Sequence, residues 1–167
     1  MTIPGSLYTP TIRKTRTSAF SVDNSMLHND DDSQYLNRIF GTPTSANKFT
    51  ISLWFKRGNM GLVSYLLDEG TGGFGFIRIN ADDTLTYYNE AGGVAIQLIT
   101  TQLFRDPHSW YHLVIQQDTT QSTSTNRAKM WVNGTQVTSF GTAQYNIAQN
   151  NAGTLNTAVA HAIGHSG

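Results

Sequence analysis

Phe49-Thr-Ile-Ser-Leu-Trp-Phe-Lys-Arg-Gly58 is the stretch that decides the fold. Phe49, Ile51, Leu53 and Phe55 alternate with Thr50, Ser52, Trp54 and Lys56. Side chains of a β-strand point to opposite faces at period two, so this is a strand with one apolar face. A single apolar face needs a second layer to cover it, and the chain on either side offers strands for that purpose.

Toward the C terminus the punctuation is regular. Leu62 to Leu67, Phe74 to Asn80, Leu85 to Asn89 and Val94 to Ile99 read as strands. Between them lie the turns Asp68 to Gly73, Ala81 to Thr84 and Ala91 to Gly93, the pattern of an antiparallel meander. After a loop from Thr100 to Ser109, Trp110 to Gln117 is rich in aromatic and β-branched residues, as strands are. Asp118 to Asn126 is almost wholly polar and predicts a mobile loop. Ala128 to Val132 and Thr135 to Phe140 flank Asn133-Gly134, a pair suited to the positive φ angles of a type I′ turn. That turn accounts for the Asn-Gly-Thr glycosylation pattern at 133 to 135. Gly141 to Asn156 reads as irregular and Thr157 to Ile163 as a last strand.

Toward the N terminus, Gly41 to Asn47 is a loop and Tyr35 to Ile39 a strand. Asn29 to Ser33 is a turn, with short strand pieces at Ala19 to Val22 and Ser25 to His28. Residues 1 to 18, with Pro4, Gly5 and Pro10, form an extended arm. No helix is expected. The prediction is an all-β, two-sheet antiparallel β-sandwich of ten to twelve strands spanning 19 to 167.

Composition narrows the function. One domain suits 167 residues at 38% hydrophobic content, and a chain of this size buries about 70% of its unfolded surface. The absence of cysteine excludes disulfides and Cys-based zinc sites. No apolar run approaches the ~20 residues of a membrane helix, and Met1 to Leu7 lack the pattern of a signal peptide. Arg13, Lys14 and Arg16 give the arm +3, leaving eight basic against eleven acidic groups, or −3, on the body. A negative body argues against nucleic acid as the target.

Four motifs carry a family resemblance: Phe-Thr-Ile-Ser-Leu-Trp-Phe-Lys (49 to 56), Trp-Tyr-His-Leu-Val-Ile (110 to 115), Met-Trp-Val-Asn-Gly-Thr-Gln-Val (130 to 137) and Ala-Ile-Gly-His-Ser-Gly (162 to 167). Over residues 19 to 167 the chain resembles the laminin-G-like branch of the concanavalin A-like jelly rolls. With Phe-Ser-Val-Asp-Asn-Ser (20 to 25), the wording is similar to modules of marine bacteriophage virion proteins. The resemblance implies a virion component such as a fibre, a tail protein or a surface decoration, commonly a homo-oligomer. The arm, with Arg13, Lys14 and Arg16, would anchor the module to other virion proteins, and the sandwich would face host-surface glycans. The rival expectation is a purely architectural module contacting only virion proteins. Similar modules continue beyond the Ile-Gly segment with a closing strand. Its absence before Gly167 predicts that more chain, or a partner, completes the sheet.

Candidate sites follow from residue type. Glycoside hydrolysis generally uses two carboxylates flanking the scissile bond. The only glutamates, Glu69 and Glu90, fall in predicted turns, and no nucleophile elbow is present. An enzyme is not expected. His112, between Tyr111 and Leu113, reads as a packed histidine. Asp30, Asp31 and Asp32 offer oxygen ligands of the kind calcium takes, and the resemblance implies rim calcium in related modules; no other cofactor is expected. For carbohydrate, Trp131 and Tyr88 are the stacking candidates, with Asn89, Asn133 and Gln97 as polar contacts.

Overall fold

The computed structural model describes residues 35–70 and 74–164. The arm, the strand pieces at 19–22 and 25–28 and the triad Asp30, Asp31 and Asp32 lie outside the described residues. Within them are eleven strands: β1 (Leu36–Ile39), β2 (Lys48–Lys56), β3 (Ser64–Glu69), β4 (Gly75–Ile79), β5 (Thr84–Ala91), β6 (Val94–Leu103), β7 (Trp110–Asp118), β8 (Ala128–Val132), β9 (Thr135–Gln136), β10 (Phe140–Tyr145) and β11 (Ala160–Ile163). They form two antiparallel sheets, ordered β1-β11-β3-β4-β5-β6-β10 and β2-β7-β8-β9. The sandwich expected from the alternation is therefore present.

Strict alternation builds the interior. Ile77, Ile79, Leu85, Tyr87, Ile96 and Leu98 from the larger sheet meet Leu113, Ile115 and Met130 from the smaller one, all fully buried. The Phe49 stretch is less central than its pattern implies. β2 lies at the end of the four-stranded order, so Phe49, Ile51 and Leu53 are half-buried and only Phe55 is buried. β7 holds the middle, because β2 and β8 flank it on both sides.

Three segments depart from expectation. The Asn133-Gly134 turn forms, with φ of 50° and 80°, but β9 lasts two residues before the chain crosses to the other sheet and becomes β10. The region expected to be irregular thus contains a strand. Its alternation is faint because β10 lies at the end of the seven-stranded order, with most of its residues exposed or half-buried. The loop after it supplies Ile147 and Leu155, both fully buried.

The polar stretch after β7 is also more organised than its composition suggests. Asp118 accepts hydrogen bonds from the Thr120 hydroxyl (2.6 Å), the Thr120 N–H (3.0 Å) and the Gln121 amide (2.8 Å). Arg127 donates to the carbonyls of Gln121, Ser122 and Ile147, and Ser124–Asn126 form one 3₁₀ turn. Satisfied polar groups, rather than apolar burial, hold this loop.

Two buried polar knots join the layers. Gln117 Oε1 accepts from Tyr87 OH (2.5 Å) and Asn89 Nδ2 (3.0 Å), and Asn89 Oδ1 accepts from Leu155 N (3.0 Å). Gly153 passes so close that a Cβ there would overlap the Asn89 amide. At the other end Arg57 donates to Asp83 (3.1 Å), Asn59 O and Phe104 O, while Arg105 donates to the second Asp83 oxygen (2.9 Å). Asp83 adopts φ 67° in the turn between β4 and β5, a conformation open to Asp because its short polar side chain bonds locally.

Asn89→Ala is expected to cost about 1–3 kcal/mol for each polar group it leaves unpaired, read as a lower urea midpoint with the fold retained. Asp83→Ala should destabilise more than Arg105→Ala, because the Arg57 side chain it strands is 3% exposed whereas that of Arg105 is 62% exposed; equal losses would contradict this role for Arg57. The Thr120 hydroxyl bond, with help from Gln121 and Lys48, lowers the Asp118 carboxyl from 3.8 to about 2. A depressed carboxylate stabilises the fold above its unfolded pKa and ceases to as pH falls through its folded one. The stability advantage of the native protein over Asp118→Asn should therefore be full at pH 5 and shrink between about pH 4 and pH 2, as urea melts would show.

Candidate functional site

Each sheet turns one face outward. On the seven-stranded sheet the register aligns Phe76 with Tyr88 and Tyr88 with Gln97. Phe76 and Tyr88 stack at 5.1 Å, and Tyr65 meets Phe76 edge-on at 5.5 Å. Arg78 lies 4.8 Å over the Phe76 ring and donates to Tyr65 OH and Asn80 Oδ1. The Tyr88 hydroxyl donates to Glu90 Oε2 at 2.7 Å, and this bond to a carboxylate raises its pKa. These rings are half-buried and spend much of their faces on one another.

The four-stranded sheet presents Lys48, Thr50, Ser52, Trp54 and Lys56 from β2, Trp110, His112, Val114, Gln116 and Asp118 from β7, Lys129 and Trp131 from β8 and Gln136 from β9. All three tryptophans of the chain are in this set. Trp54 is 63% and Trp110 58% exposed, while Trp131 is half-buried. His112 stacks on Trp54 at 4.6 Å with an interplanar angle of 16°, and its Nε2 is hydrogen-bonded to Ser52 Oγ at 2.9 Å.

The sugar-contact candidates therefore divide. Trp131 faces outward on the small sheet, and Tyr88 and Gln97 face outward together on the large one. Asn89 is a correction: it is fully buried, points into the interior and spends its amide on Gln117 and Leu155. The odd residue between Tyr88 and Glu90 must point the other way, a parity that its amide chemistry hides. Asn133 is exposed, but its side-chain oxygen accepts from His112 N at 2.8 Å as part of the turn. Trp54 and Trp110 join Trp131 on the outward face of the small sheet, although residue type alone pointed to Trp131. The signal was available, since both occupy the outward parity of their strands.

The glutamates also differ from expectation. Glu69 belongs to β3, is 3% exposed, and accepts from Phe74 N. Glu90 lies in β5 and accepts from Gly93 N as well as Tyr88 OH. Both line one cleft at the sheet end with Phe74, Thr154 and Val159. β4 separates their strands, about 9.6 Å at normal spacing, and alternation sends Glu69 inward and Glu90 outward.

Among the described residues, no three His, Asp or Glu side chains gather as metal ligands. His108 and His112 are four apart, but β7 begins at Trp110, so the strand that carries His112 does not include His108. His108 is instead in a loop beside Asp106, 3.8 Å away, while His112 is packed against Trp54.

No curated protein matches the chain. A laminin-G family model, described as the concanavalin A-like lectin/glucanases superfamily, matches residues 29–165. With two facing antiparallel sheets and that match over most of its length, the chain belongs to the concanavalin A-like lectin/glucanases superfamily.

Proposed function

We propose that this chain is a non-catalytic, glycan-binding adhesion module of a phage particle, in a fibre, a tail or a surface decoration. The observation that carries the binding reading is the placement of aromatic rings. Trp131 and Tyr88 stand at outward positions on opposite faces of the sandwich, where a packed core has no use for them. Sugar rings present C–H faces that suit the electron-rich face of an aromatic ring. Glu69 and Glu90, turned to opposite sides of their sheet, are not arranged as the carboxylate pair that a hydrolase uses.

The virion setting is supported by the motif wording at 49–56, 110–115, 130–137 and 162–167 taken together with Phe-Ser-Val-Asp-Asn-Ser at 20–25. In that setting residues 1–18 dock the module onto a neighbouring virion protein through main-chain bonding and the charges of Arg13, Lys14 and Arg16. Copies of the module assemble as a homo-oligomer.

On a glycan array the intact protein is expected to bind a defined subset of sugars. Loss on Trp131→Ala would place the contact on the small sheet and loss on Tyr88→Ala on the large one; an array blank throughout would leave the architectural role. Deleting residues 1–18 should abolish incorporation into particles while the circular dichroism of the sandwich is unchanged. Normal incorporation would refute the anchoring role.

A further inference from the structure

We propose that the outer face of the four-stranded sheet binds an extended acidic polysaccharide, with Trp54, Trp110 and Trp131 as stacking platforms and Lys56 and Lys129 as charge partners. The inference rests on the glycan-binding reading and names its site and ligand class.

Register sets the layout. Lys56 is opposite Trp110, Trp54 opposite His112, Ser52 opposite Val114, Val114 opposite Trp131, and Gln116 opposite Lys129. Along the strand axis the three indoles therefore follow one another as a staggered row, Trp110 on β7, Trp54 on β2 at the level of His112, and Trp131 on β8 at the level of Val114. A lysine stands beside each end, Lys56 by Trp110 and Lys129 two residues before Trp131. At strand spacings of about 4.8 Å across and about 6.8 Å per two residues, those lysines are on the order of 20 Å apart along the strands. That separation suits several sugar units and is too long for one.

The aromatic surface is exposed and already oriented. The Trp54 ring is backed by His112, which Ser52 holds in turn. A ring fixed before binding loses less conformational freedom when a ligand arrives. The surroundings are hydroxyls and amides, namely Thr50, Ser52, Gln116 and Gln136, and Val114 is the sole aliphatic residue turned outward on β2, β7 and β8. A protein interface has a more continuous apolar centre; indoles set among polar groups suit a hydroxyl-rich ligand.

Charge supplies the acidic preference. The body as a whole carries −3, yet this face presents three lysines against a single carboxylate. That carboxylate, Asp118, is taken up by Lys48, Thr120 and Gln121. Among the described residues, Lys56 and Lys129 have no ion-pair or hydrogen-bond partner. These two ammonium groups, at the ends of a staggered aromatic row, attract carboxylates or sulfate esters along a sugar chain.

Because every tryptophan is on this face, indole fluorescence reports binding here and is blind to the Tyr88 face. The full-length chain would be titrated with polygalacturonate, dextran sulfate, neutral dextran and polyglutamate at low and high salt. Polygalacturonate or dextran sulfate, depending on whether carboxylate or sulfate is preferred, is expected to shift the emission, with dextran and polyglutamate far weaker. Trp54→Ala and Trp110→Ala should each weaken binding about tenfold, and Lys56→Gln with Lys129→Gln should remove most of the salt dependence. Equal binding of dextran, or of polyglutamate, overturns the inference. So does glycan binding that leaves the emission unchanged and survives Trp54→Ala, an outcome that keeps the glycan-binding reading and moves the site. A dimer that Trp54→Ala dissociates, with no response to sugar, overturns it in favour of a second copy as occupant. Silence toward every glycan, here and on the array, overturns both.

Discussion

In β7, Tyr111, Leu113, Ile115 and Gln117 must point into the sandwich, and that obligation sends Trp110, His112, Val114, Gln116 and Asp118 outward. Both neighbours copy the parity through the ladder, β2 over nine paired residues and β8 over five. A shift of one residue would bury every outward group and expose the apolar set. The burial of Leu113 and Ile115 against the larger sheet thus determines where the tryptophans stand. Core and candidate surface are two sides of one constraint.

The buried polar groups add specificity to that apolar seam. Hydrophobic burial is non-directional and leaves two sheets free to slide. Gln117, Tyr87 and Asn89 bond across the gap at one end, and Arg57, Asp83 and Arg105 tie β2 to the β4–β5 turn at the other. Unmade hydrogen bonds in a dry interior are costly, so these knots favour one relative position of the layers. The loops follow: Leu155 is drawn in by Asn89, and the polar loop after β7 is wrapped around Arg127.

The two outer faces carry aromatic residues in different states. On the larger sheet, Tyr65, Phe76 and Tyr88 pack on one another and Arg78 lies over Tyr65 and Phe76, leaving half-buried rings. On the smaller sheet, Trp54 and Trp110 remain more than half exposed. His112 backs one side of Trp54, yet that ring keeps far more of its surface open than Tyr65, Phe76 or Tyr88. This difference favours the tryptophan face even though single-residue reasoning ranks Tyr88 and Trp131 alike.

Local sequence determined a good deal of this molecule. Alternation at 49–56 and 110–117 marks the strands, and Asn133-Gly134 marks the hairpin, because side-chain parity and turn dihedrals depend on neighbours in the chain. The same parity makes Trp131, Trp54 and Trp110 outward residues. Tertiary structure alone decided that β7 rather than β2 is central, that β10 exists, that Asn89 belongs to the core, and that the three indoles share one face with Lys56 and Lys129. Those outcomes depend on which strands pair and what packs over them, between residues far apart in the chain, such as the 66 positions that separate Asn89 from Leu155, and no local periodicity encodes them.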